Sequence, residues 1–211
     1  MSAATGAKRG RPATASREDV VAAARAQWLA GERLDLTILA RHLGLGRATI
    51  YRWFGSRERV LGEVIGDEIA ALVARKRRQV KVRGVEGLLE VFDQINRSVA
   101  RSTALRRYLE QERDSALRLL TSSTGLVQAR SVACITDLIA AEADGGLYDP
   151  PADPATLAYA IVRLAEAFLY NDTAIGIRGD HARLREVEAA LLGAGQRSRP
   201  WRGRQPRRAC S

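Results

Sequence analysis

Apolar side chains return every three or four residues over most of this chain, the spacing of one face of an α-helix. Val20, Ala24 and Trp28 share one face of a segment that opens on Ser16, a good N-cap, with Asp19 placed to complete a capping box. The spacing predicts a helix over 17–29, ended by Gly31. Asp35 is the next N-cap, and Leu36, Leu39, Ala40 and Leu43 then recur at i, i+3, i+4 and i+7, the mark of a short amphipathic helix. Gly44 breaks it and can take the positive φ of a tight turn. A third helix starts at Gly46 or Arg47 and ends near Phe54, with Ile50 and Phe54 directed inward. Ser56 caps a fourth, which runs to about Lys81 and carries Arg75 to Arg78 in its last turns, where cations suit the helix C-terminus. Further helices are expected over 84–101, 103–120, 125–143, 153–172 and 180–193. Asp153-Pro154 is a strong start signal, an N-cap followed by proline at the first helical position. The sequence has neither strand alternation with turn signals nor a repeat of fixed period, so the expected fold class is all-α.

Within this pattern the segment GLGRATIYRWFGS (44–56) stands apart, because it holds three of the chain's 11 aromatic residues beside two arginines. Two short helices joined by a glycine turn, the second loaded with Arg, Thr and Tyr, form a helix-turn-helix. Leu39, Ala40 and Leu43 brace the second helix, and Leu45 and Ile50 close the small core. Arg47, Ala48, Thr49, Tyr51 and Arg52 are left on the free face or at its exposed start, where they can enter a DNA major groove. Arginine reads guanine, Ala and Thr methyls touch a thymine methyl, and tyrosine hydroxyls suit phosphates. The competing reading is a plain helical hairpin in an all-α core.

Charge sharpens the choice. The net charge is +10, but it is unevenly spread. Residues 17–83 carry 14 basic and 8 acidic side chains, whereas residues 84–195 carry 11 basic and 16 acidic ones. Residues 1–16 add Lys8, Arg9 and Arg11, and residues 196–211 add six arginines, neither with an acid. A polyanion is the natural partner of such a basic third with basic tails. KRGRP (8–12) resembles an AT-hook core, an extended Arg-Gly-Arg for a narrow minor groove, set against a merely solvated tail. The C-terminal RSRPWRGRQPRR either binds DNA non-specifically or is a solubilising tail. No apolar run is long enough for a membrane span and the basic N-terminus lacks the apolar stretch of a signal peptide, so a cytoplasmic location is expected. Two cysteines and two histidines without metal-ligand spacing give no disulfide framework and no metal site. Paired carboxylates with a histidine, a Cys–His arrangement and a phosphate-binding glycine loop are all missing, so neither an enzyme nor a bound cofactor is expected.

The stretch LDLTILARHLGLGRATIYRWFGSRERVL resembles the DNA-binding domain of TetR-type transcriptional regulators, over about residues 16–62. Ala40, Gly44, Thr49, Tyr51, Phe54 and the Ser56-Arg57-Glu58 helix start fall in the family register, with Gly46 and Ala48 as departures. The resemblance implies groove contacts from Thr37, Arg47, Ala48, Thr49 and Arg52, and phosphate contacts from Tyr51 and Arg57. LAYAIVRLAEAFLYND (157–172) is similar to a QsdR-like subgroup of that family, regulators of quorum-signal lactone degradation. The implied organisation is a basic arm (1–15), a DNA-binding domain (16–60), a helical effector-binding and dimerisation domain (61–195) and a basic tail (196–211). The implied function is a homodimeric repressor on a palindromic operator in double-stranded DNA, joined through 153–172 and 180–193 and released by a small-molecule effector. The alternative is an architectural DNA-binding protein of little sequence preference. Leu157, Ile161, Leu164 and Phe168, and likewise Leu184, Val187 and Leu191, make apolar stripes for either an interface or an intrachain core. Arg163, Glu166 and Tyr170 align on one helix as either effector-pocket polar groups or an exposed ion pair, and Arg130 is a similar candidate.

Overall fold

A computed structural model of the chain describes residues 15–170 and 180–195. Ten α-helices account for its regular structure, and the described residues contain no strand. They are α1 (Arg17–Ala30), α2 (Leu36–His42), α3 (Arg47–Phe54), α4 (Arg57–Gln79), α5 (Gly84–Ala100), α6 (Thr103–Gln111), α7 (Arg113–Thr121), α8 (Leu126–Asp144), α9 (Pro154–Tyr170) and α10 (His181–Leu191).

Local chemistry sets the boundaries. The Ser16 hydroxyl accepts from the Asp19 amide while the Asp19 carboxylate accepts from the Ser16 amide, so a full capping box starts α1. Asp35 accepts from the amides of Thr37 and Ile38 to start α2, and Ser56 accepts from Arg59 to start α4. Gly46 starts α3 with no side-chain cap. Gly44, at φ +64°, makes the turn between α2 and α3, a conformation that a side chain would strain.

Two hydrophobic clusters hold the helices together. One joins Val20, Trp28, Leu39, Ile50 and Phe54 of the first three helices to Val60 and Val64 of α4, and continues into Leu105, Tyr108 and Leu120 beyond. Trp28 meets Tyr108 edge-on, with ring centroids 5.6 Å apart. The second cluster packs Val73, Leu88, Phe92, Ile139, Leu157, Ile161 and Leu192. α4 contributes to both, so the helix behind the helix-turn-helix also forms part of the body's core. Two salt bridges tie α1 to it, Arg17–Glu63 and Arg25–Glu68. At its far end Arg77 meets the buried Glu142 carboxylate, which also accepts from Arg83 and from the Gly84 amide.

The expected single helix over 103–120 is two helices, α6 and α7. Glu112 stands between them at φ −140°, ψ 47°, and its carboxylate makes a paired contact with Arg57 of α4. The apolar stripe of α9 is intrachain core: Leu157, Ile161 and Phe168 are buried, with Leu164 partly so. On α10 and its C-cap the buried row is Leu184, Glu188 and Leu192, while Val187 is exposed and Leu191 half-buried. No described helix is long and apolar enough to cross a membrane.

Candidate nucleic-acid interface and effector cavity

α3 is a short helix with two opposed faces. Ile50 and Phe54, one turn apart, are buried, and Trp53 packs partly buried against the same cluster. Arg17 lies over the outer face of the Phe54 ring, 4.5 Å from its centroid. Arg47, Ala48, Tyr51 and Arg52 are exposed, as are Thr37 on α2 and His42, and Thr49 is half-buried. Arg47 donates to the Tyr51 hydroxyl at 3.1 Å, with its guanidinium 5.2 Å from the ring centroid. These two side chains therefore form one preset unit on the open face. Lys8, Arg9 and Arg11 lie outside the described residues.

Arg57 departs from this face. Its Nε donates to the Leu34 carbonyl at 2.8 Å, and its two terminal nitrogens grip both oxygens of Glu112 at 2.9 and 2.6 Å. Only 17% of its side chain is exposed, so it holds the helix-turn-helix to the α6–α7 junction and has no donor fork free for a phosphate. Arg33 adds a third contact to Glu112 at 3.3 Å. Burial raises the Glu112 carboxyl, but the arginines outweigh it and leave the group below its ordinary range.

In the body, a cavity of about 80 Å³ opens between α4, α5, α8, α9 and α10. Phe92, Ile95, Val127, Ile135 and Ile161 supply much of an apolar wall, with Asn96, Ser131, Glu166, Tyr170 and Glu188 as its polar points. Of the four expected pocket residues, Glu166 and Tyr170 line it. Arg163 stands behind Glu166, donating to it at 2.7 Å and to the Thr121 carbonyl at 2.7 Å. Arg130 is elsewhere: it lies against Gly66 and pairs with Asp67 at the surface. Burial raises Glu166 above its ordinary value despite Arg163, and burial together with the Glu166 charge raises the Tyr170 phenol. Asn96, Ser131 and Glu188 were not foreseen. The one signal for Glu188 was an acid at i+4 from Leu184 and i−4 from Leu192, on what is otherwise a leucine row.

Residues 83–193 match the family described as tetracyclin repressor-like, C-terminal domain. Among solved structures, the chain is similar to the R. erythropolis transcriptional repressor QsdR from the TetR family, at 30% identity over 84% of this chain and 94% of that one, with a TM-score of 0.76. The TetR family repressor AlkX from Dietzia sp. strain DQ12-45-1b, implicated in biodegradation of n-alkanes, shares the fold at 21% identity over 88% of this chain and 97% of that one, with a TM-score of 0.58. No curated protein sequence matches the chain.

Proposed function

This chain belongs to the TetR family of transcriptional regulators, and on that premise we propose that it is a homodimeric repressor whose α3 helices enter successive major grooves of a near-palindromic operator. The exposed face of α3 carries this reading: Arg47, Ala48, Tyr51 and Arg52 are open to solvent while Ile50 and Phe54 hold the helix from behind. Arg47 and Arg52 read base edges, Thr37, Ala48 and Thr49 contribute groove contacts, and Tyr51 meets a phosphate. Lys8, Arg9 and Arg11 form a minor-groove arm ahead of α1. Arg57 is better assigned to the head–body joint than to DNA, given its pairing with Glu112. Residues 16–60 form the DNA-binding unit and residues 61–195 the effector and dimer unit, with α4 running from one into the other. Two copies join through α9 and α10, whose outward side chains include the exposed Tyr159 and Val187. The cavity between α5, α8, α9 and α10 takes a small-molecule effector, which releases the operator by binding more tightly to the DNA-incompetent arrangement.

The operator is found by random-sequence selection with the purified protein, and binding is then compared on operator and scrambled duplexes at fixed salt. Arg47→Ala and Arg52→Ala are expected to weaken operator binding by roughly 1–3 kcal/mol per lost guanine contact while barely moving scrambled binding. Equal losses on both duplexes would remove base readout from the reading.

A further inference from the structure

The cavity of the body is lined largely by apolar side chains, yet one carboxyl group faces it short of a partner. Glu188 is 1% exposed on the buried row of α10. Its Oε1 accepts from Asn96 Nδ2 of α5 at 3.0 Å, and its Oε2 is buried with no hydrogen-bond partner. A leucine would continue the Leu184–Leu192 row without leaving a polar atom unpaired, so packing does not call for an acid here. The neighbouring charges do not neutralise it. Arg185, on the same helix, donates to the Leu89 carbonyl at 2.9 Å and reaches toward Glu86 and Glu90, while Asp93 on α5 adds a further negative charge. Glu166, on the cavity's α9 side, already has its counterion in Arg163. None of the described residues lining the cavity is basic.

These facts discriminate between ligand head groups. A carboxylate would enter beside two carboxyl groups with no cation to meet it. An ammonium would require Glu188 to ionise in the dry interior, where only Asn96 supports its charge, and the desolvation of both ions would outweigh their attraction. A neutral head avoids both costs. It supplies the missing partner of Oε2, and burial pushes the Glu188 carboxyl up to about 7, which keeps a proton available for donation to a carbonyl oxygen.

We propose that Glu188, oriented by Asn96, is the polar anchor of the cavity and selects an uncharged apolar molecule with a single carbonyl-bearing head over a carboxylate of the same shape. This rests on the reading of the cavity as the effector site. The isosteric pair octanamide and octanoate tests it by calorimetric titration of the full chain at about pH 6, where Glu188 holds its proton, with octylamine as the cationic member. Octanamide is expected to bind at least about tenfold more tightly than either charged analogue. Glu188→Gln, which is neutral and keeps a hydrogen-bond donor in place of the carboxyl proton, should hold octanamide affinity to within about threefold. Glu188→Leu, which completes the leucine row, should lose octanamide affinity at least about tenfold while its melting temperature rises, because the variant no longer buries a carboxyl group. Octanoate or octylamine binding as tightly as octanamide in the unaltered protein overturns the proposal, as does undiminished octanamide affinity in Glu188→Leu. If none of the three binds, the effector-cavity reading falls and takes the proposal with it.

Discussion

Glu188 places a carboxyl group where α10 otherwise packs leucines, and that has a consequence for the protein without any ligand. Burial, only partly offset by the Asn96 hydrogen bond, lifts the group from 4.5 to about 7. Between those values the folded chain holds a proton that the unfolded chain has released, so stability falls as pH rises through this window. The full effect is about 3 kcal/mol, complete once the pH passes the folded-state value. Urea unfolding at a series of pH values measures it: the unaltered chain should lose stability from mildly acid to mildly alkaline pH, and Glu188→Gln should flatten that slope. A slope that persists in Glu188→Gln would place its origin in other groups. The same residue marks a limit of reading side chains one at a time. Glu166 and Tyr170 were legible as cavity residues because they sit at helical spacing on an otherwise apolar helix. Arg130 fitted the same description, yet Asp67, which is remote in sequence, draws it to the surface. Periodicity gives the face of a helix and says nothing of which distant charge waits there.

Elements depend on such distant partners too. The capping signals at Ser16, Asp35 and Ser56 involve contacts within three residues, and the helices begin where those signals stand. The break between α6 and α7 has no comparable signal. Residues 103–120 carry no proline or glycine, and Glu112, where the interruption falls, meets Arg57, 55 positions away. This ion pair is partly buried, with 17% of the Arg57 and 13% of the Glu112 side chain exposed. Removing one partner strands the other's charge near the joint, so Glu112→Ala should cost roughly 2–4 kcal/mol in urea unfolding, below the upper range for fully buried pairs because water still reaches both groups. Glu112→Gln, which keeps an acceptor, should cost about half as much. Because Arg57 also holds the Leu34 carbonyl ahead of α2, Glu112→Ala should lower operator affinity with every α3 side chain intact. Unchanged stability in Glu112→Ala would reduce the pair to a surface contact.

Across the whole molecule, the first hydrophobic cluster runs from α1 to α8, so the helix-turn-helix is packed onto the body and cannot pivot without disturbing shared core. The proposed base-reading side chains stand on α2 and α3, while most of the net charge falls in the two terminal segments of the sequence. Residues 1–14 and 196–211 carry nine basic side chains and no acid, out of a net +10, so a chain limited to 15–195 is nearly neutral overall. Each phosphate neutralised by a cation contributes about −0.9 to the slope of log affinity against log salt. If all the tail cations engage, removing both tails should reduce that slope by as much as about 8 on scrambled duplex. Affinity at low salt should fall on operator and scrambled DNA alike, because backbone contacts position a protein without reading sequence and a minor-groove arm reads little beyond A·T content, which scrambling keeps. The ratio of the two affinities should survive the truncation, since Arg47, Thr49, Tyr51 and Arg52 remain on their helix. Titrations of full-length and truncated chains at several salt concentrations separate the two contributions. A ratio near one already in the full-length chain would favour an architectural DNA-binding protein, and a ratio that collapses with the tails would move base readout from α3 to the tails.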